Sequence, residues 1–89
     1  MSVAPLEVIV PVFRAVEALR RLIDALVRTL PQGQPVLFCD DASPDAEVRA
    51  LLEGLPQRVP FAARVLRRER NLGFVGNVNA AFDECAERD

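Results

Sequence analysis

The chain alternates between short apolar runs and longer amphipathic ones. Residues 6–13, Leu-Glu-Val-Ile-Val-Pro-Val-Phe, are rich in β-branched side chains and closed by a proline, which predicts a buried strand. In residues 16–30 the period changes. Val16, Leu19, Leu22, Ile23, Leu26, Val27 and Leu30 recur at steps of three and four, the spacing of an amphipathic helix. Pro31, Gly33 and Pro35 then end that helix.

Val36 to Cys39 is a second apolar run of strand length. It stops at Asp40-Asp41, and Ser43-Pro44-Asp45 follows with the signature of a helix start: Ser43 as N-cap, Pro44 at the first helical position, acidic residues in the first turn. That helix is expected to turn Val48, Leu51, Leu52 and Leu55 inward and to end near Gly54 to Pro56. Residues 61–69 give a third strand, alternating over only part of their length. Val75, Val78, Phe82 and Cys85 then recur at helical spacing behind two glycines, predicting a last helix that begins between Gly73 and Gly76.

The resulting order, β-α-β-α-β-α, predicts a parallel three-stranded sheet with right-handed crossovers and helices on its faces. In such sheets ligands bind beyond the carboxyl ends of the strands. Three stretches lie there: Pro11-Val12-Phe13, Asp40-Asp41, and Arg67 to Gly76.

Composition narrows the chemistry. At 89 residues, 51% hydrophobic and 27% charged, the chain is a single globular unit and too apolar for disorder. Its net charge of −2 gives no general attraction to nucleic acid or acidic membranes. No apolar stretch approaches the ~20 residues of a membrane span, and the N-terminus lacks a signal-peptide layout, so a cytoplasmic location is expected. Histidine is absent, which removes the usual general base and the commonest zinc ligand. Lysine is absent too, so all 11 cationic side chains are arginine and lysine-based covalent or phosphate chemistry is excluded. Cys39 and Cys85 form no metal or redox spacing and are expected as buried free thiols.

Two readings of the aspartate pair stand side by side. Asp41 could bond the turn and the following helix N-terminus, with Asp40 solvated. Alternatively, Asp40 accepts a hydrogen bond from a ligand N–H, or the pair helps hold a cation. The third strand end is equally open. It is either a charged edge before a glycine turn, or a place where Gly73 and Gly76 let a phosphate approach helix-terminal N–H groups while Arg67, Arg68 and Arg70 supply charge.

Three ordered blocks, VIVPVFRAVEALRRLIDAL, VLFCDDASPD and RNLGFVGNVNAAF, resemble the donor-binding half of family 2 glycosyltransferases of the GT-A fold. The family pattern reads V-P-V-Y-N, then D-D-G-S-x-D, then N-x-G-F-x-G-x-x-N, and the resemblance covers nearly the whole chain. It implies a Rossmann-like, truncated GT-A fold, with residues 1–89 a single partial domain, the nucleotide-binding half. By this resemblance Pro11, Val12 and Phe13 touch the nucleotide through the strand end. Asp40 reads the base edge, commonly N3–H of uracil or thymine, and Asp41 and Ser43 complete the turn. Arg70, Asn71, Gly73 and Gly76 form the loop near the nucleotide and its phosphates, and Asn79 is the polar residue on the next helix. Phe13 stands for the usual tyrosine, Arg14 for asparagine, Ala42 for glycine and Pro44 for threonine, and Ala81 stands where glycine is common.

The resemblance further implies transfer of a sugar from a UDP- or dTDP-type nucleotide-diphosphate sugar to an acceptor hydroxyl. It also implies a divalent cation, Mg²⁺ or Mn²⁺, held by a D-x-D motif, and a carboxylate base. Both lie downstream of the matched region in the family, so no catalytic residue and no metal ligand is expected in this chain, which alone would not catalyse. Residues 6–13, interior in the family's sheet, would here form an open apolar edge inclined to self-association. The alternatives are a non-catalytic nucleotide-binding or interaction module and a response-regulator receiver. The receiver pattern, however, has its acidic pair after the first strand and a lysine near its end. A KH-type reading of GFVG fails on net charge and on the missing helix before the glycines.

Overall fold

The computed structural model describes residues 7–86. The β-branched runs are strands and the runs of period 3.6 are helices: β1 (Val8–Val12), α1 (Val16–Thr29), β2 (Pro35–Asp40), α2 (Ala46–Gly54), a 3₁₀ turn at Leu55–Gln57, β3 (Ala62–Arg67) and α3 (Gly73–Ala86). The strands form one parallel sheet in the order β1-β2-β3. The chain is thus a Rossmann-like α/β unit, as its alternation requires.

Period-2 alternation divides the strand side chains between two faces. Val10 and Val12 of β1 and Val36 and Phe38 of β2 join Leu19 and Ile23 of α1 and Val48 and Leu52 of α2 in the larger core, with Leu55 and Phe61 closing it. Phe38 and Phe61 stack with ring centroids 6.2 Å apart. The opposite face is thin: Leu37 and Cys39 meet Ala81 of α3, with Ile9 and Leu66 partly buried beside them.

Several local expectations are corrected. The first strand begins at Val8 and ends at Val12, and Leu6 lies outside the described residues. On α1, Leu22 and Val27 are exposed although they keep the apolar spacing, because Leu19 and Ile23 are the positions that meet the sheet. The start of α2 is displaced two residues: Asp45, not Ser43, occupies the N-cap, and Pro44 lies outside the helix. Ser43 is diverted because its hydroxyl accepts the amide of Arg14 from the neighbouring strand–helix turn. Cys39 is buried and in no disulfide among the described residues, while the Cys85 side chain lies outside the described ones.

The largest departure concerns α3. The helix forms, but it does not bury its apolar stripe: Phe74, Val75 and Phe82 are exposed, while Asn77 and Ala81 are buried. The cause is polar. Asn77 donates to the carbonyl of Cys39 in the middle strand, and Arg68 reaches both Asn77 and Glu84, so hydrogen bonds fix the helix's rotation and small residues let it lie close. Since Glu84 pairs toward the β3 end and Phe74 shares a cleft with β1, the apolar flank overhangs β1. Among the described residues β1 pairs only with β2, so its outer edge is open.

Three non-glycine residues have left-handed backbones, Arg14 (φ 58°), Ala15 (φ 55°) and Ala42 (φ 62°), all just past strand ends. An L-residue there costs about 1–2 kcal/mol, partly offset in glycine by its greater unfolded-state freedom. Ala42→Gly is therefore expected to raise stability by about 0.5–1 kcal/mol, read as a higher urea midpoint at unchanged slope. A lower midpoint would show that the Ala42 methyl contributes more than its backbone costs.

Candidate functional site

The register aligns Val12, Asp40 and Arg67 across the carboxyl end of the sheet. Asp41 extends the ladder by one step, its amide donating to the carbonyl of Val12 at 2.8 Å. Its carboxylate then leaves the sheet. Oδ1 accepts the amide of Leu72 at 2.8 Å and Oδ2 the amide of Gly73 at 2.9 Å, so Asp41 caps the start of α3 rather than of α2. Charge-assisted bonds of this kind to helix-terminal amides are the strong ones. Asn71 completes the loop, donating to the Asp41 carbonyl at 3.3 Å and accepting from Gly73 at 2.9 Å. Gly73 itself turns through φ 80°, a conformation that favours glycine.

Asp40 lies in a different network. Its Oδ1 accepts the amide of Ser43 at 3.1 Å, and its Oδ2 lies 3.4 Å from Arg67 Nη1, buried and without a hydrogen bond. Arg67 Nη2 also donates to the Ser43 carbonyl at 3.1 Å. On the far side, the guanidinium of Arg14 meets Asp45 at 3.3 Å. Asp40, Ser43 and Arg67 thereby tie all three strand ends together behind the surface.

That surface is a cleft of about 400 Å³ lined by Pro11, Val12, Phe13, Asp41, Asn71, Gly73, Phe74 and Asn77. A second, broader hollow of about 630 Å³ is lined by Arg67, Arg68, Glu69, Arg70 and Leu72. Asn71 and Gly73 line one and Leu72 the other, so the loop runs between them.

Of the residues expected from sequence, Pro11, Val12, Phe13, Asp41, Asn71 and Gly73 therefore meet in one cleft. Arg70 lines the neighbouring hollow. Asp40 and Ser43 are fully buried in the network behind. Gly76 lies in the first turn of α3, where an added Cβ would stand 3.1 Å from that of Leu72, and Asn79 is exposed on the same helix.

The sequence reading missed Phe74 and Asn77, and it did not foresee that Arg67 and Arg68 are already engaged. Asn77 lies four residues from both Gly73 and Ala81, on the small-residue face of α3. That spacing was legible, but the stronger apolar period on the other face masked it. With Arg67 held by Asp40 and Arg68 by Glu84 and Asn77, Arg70 is the arginine of this loop with no partner among the described residues.

The carboxylates of Asp40 and Asp41 diverge to separate partners, and among the described residues no group of three or more His, Cys, Asp or Glu side chains could hold a metal ion. No helix of the described residues is long and apolar enough to cross a membrane.

A parallel α/β sheet with a ligand-sized cleft at its carboxyl end, closed on one side by a helix start, defines the class of α/β proteins that bind ligands beyond their strand ends. The chain matches the family model Glycosyl transferase family 2 over residues 7–88, and it belongs to that family. No curated protein and no solved structure gives a significant match.

Proposed function

We propose that the cleft between Pro11–Phe13 and the Asn71–Phe74 loop is the donor-nucleotide site of a glycosyltransferase. Its donor is a UDP- or dTDP-type sugar, and its acceptor is a hydroxyl. One observation carries this reading: six residues from three separate strand ends line a single cleft in a chain of this family.

In this reading the backbone of Pro11 to Phe13 and the ring of Phe13 receive the nucleoside. Asp41 is the carboxylate nearest the ligand, and Asp40 stands behind it with Ser43, fixing the turn. The amides of Leu72 and Gly73 already hold Asp41, so a diphosphate gains most beside Arg70, the arginine of this loop without a partner among the described residues. Gly76 keeps the first turn of α3 close to the loop, and Asn79 is exposed further along the same helix.

The leaving diphosphate of such a transfer is neutralised by Mg²⁺ or Mn²⁺ in many enzymes. The described residues do not fit that ion, since no group of three or more His, Cys, Asp or Glu side chains among them could hold it. The function proposed for these residues is binding and orientation of the donor, without transfer by these 89 residues alone.

Thermal unfolding in the presence of UDP, dTDP, GDP and CDP, with and without Mn²⁺, tests the proposal. UDP and dTDP are expected to raise Tm in a concentration-dependent way, with GDP smaller. Equal Tm with every nucleotide at millimolar concentration would sink it.

A further inference from the structure

We propose that Phe74 is the second wall of the nucleobase subsite, so that the base is held between Phe13 and Phe74. The inference rests on the donor-nucleotide reading of the cleft and adds to it a residue and a mode of recognition.

Phe13 and Phe74 are 50% and 71% exposed, yet both line the same 400 Å³ cleft. They arrive from different elements. Phe13 follows β1, and Phe74 sits in the first turn of α3, whose position is fixed by Asp41 and Gly73. Two exposed phenyl rings lining one cleft are an apolar patch rather than scattered single residues, and such patches mark ligand-binding grooves.

The polar side chains of the cleft are largely engaged. Both oxygens of Asp41 accept loop amides, Asn71 bonds Asp41 and Gly73, and Asn77 bonds Cys39 and Arg68. What the cleft offers without giving up an internal bond is aromatic surface. A flat, π-rich ligand group uses that surface best, and the nucleobase is the flat part of a nucleotide sugar.

The rotation of α3 makes this arrangement. Had α3 buried its apolar stripe, Phe74 would have turned toward the sheet. The Asn77 and Arg68 bonds instead keep Phe74, Val75 and Phe82 outward and leave Phe74 at the cleft.

The test measures binding of UDP and of 5,6-dihydro-UDP by calorimetry. The dihydro ring keeps the hydrogen-bonding edge of uracil but is neither planar nor aromatic. The unaltered protein should bind UDP about a hundredfold more tightly than the dihydro analogue, about tenfold for each of the two base–aromatic stacks. Phe74→Ala should weaken UDP about tenfold and narrow the preference to that of the single remaining Phe13 stack, and Phe74→Tyr should restore it. Phe82→Ala, on the same helix flank but outside the cleft, should leave both affinities unchanged.

Two results would overturn the inference while leaving the cleft assignment intact: undiminished UDP binding by Phe74→Ala, or an equal loss in Phe82→Ala. The latter would mean that the flank acts through helix packing or another partner. Failure of the unaltered protein to bind UDP would overturn the cleft assignment and the inference together.

Discussion

Asp41→Ala is expected to destabilise the protein by about 2 kcal/mol, because it removes the acceptor of two part-buried backbone amides at the start of α3. Asp41 is itself only 3% exposed, so water replaces the carboxylate poorly. Gly73 retains the oxygen of Asn71, which moderates the loss, whereas Leu72 has no second acceptor among the described residues. A domain of this size changes Tm by roughly 4–8 °C per kcal/mol, so a fall of roughly 8–16 °C follows. Asp41→Asn keeps one oxygen and should lose about half as much. Urea titrations of both variants check the effect, and a loss below about 0.5 kcal/mol in Asp41→Ala would show that α3 is held by Asn77 and Arg68 without it.

The second large effect is expected at the Asp40–Arg67 pair. Asp40 is fully buried, and its Oδ2 has the Arg67 guanidinium as its compensating group. Removing one partner of a buried ion pair costs about 3–5 kcal/mol. Here the Arg67 side chain is 40% exposed, so solvent screening reduces the expected loss in Arg67→Met to about 2 kcal/mol. The distinguishing result lies in the double variant. Asp40→Asn in the Arg67→Met background removes the stranded charge and should recover part of the loss, giving a coupling of about 1 kcal/mol in the double-mutant cycle. Additive losses would mean that Arg67 acts only through its bond to the Ser43 carbonyl.

The order of elements was legible because each run is dominated by one period. Val8 to Val12 and Val36 to Cys39 are unbroken apolar runs of strand length, and Leu19 and Ile23 hold one side of α1. The convergence of Phe13, Asp41 and Asn71 was legible as well, since parallel topology forces strand ends to one side of the sheet.

What escaped was decided by polar contacts between distant segments. Ser43 has the local signature of an N-cap, yet a partner 29 residues away, the Arg14 amide, takes its hydroxyl. Asp41 caps a helix more than 30 residues downstream instead of the one beside it. On α3, apolar periodicity selects Val75, Val78 and Phe82, but Asn77 and Arg68 set the rotation. Local patterns report propensity; they do not report which long-range donor reaches an acceptor first.

The central claim is that a nucleoside diphosphate binds between Pro11–Phe13 and the Asn71–Phe74 loop. Titrating ¹⁵N-labelled protein with UDP and following the amide resonances tests it most directly. The account predicts saturable shifts concentrated at Val12, Phe13, Asp41, Asn71, Gly73 and Phe74, with the amides of Leu26, Val27 and Leu51 unmoved. Shifts spread over α1 and α2, or none at millimolar UDP, would contradict it.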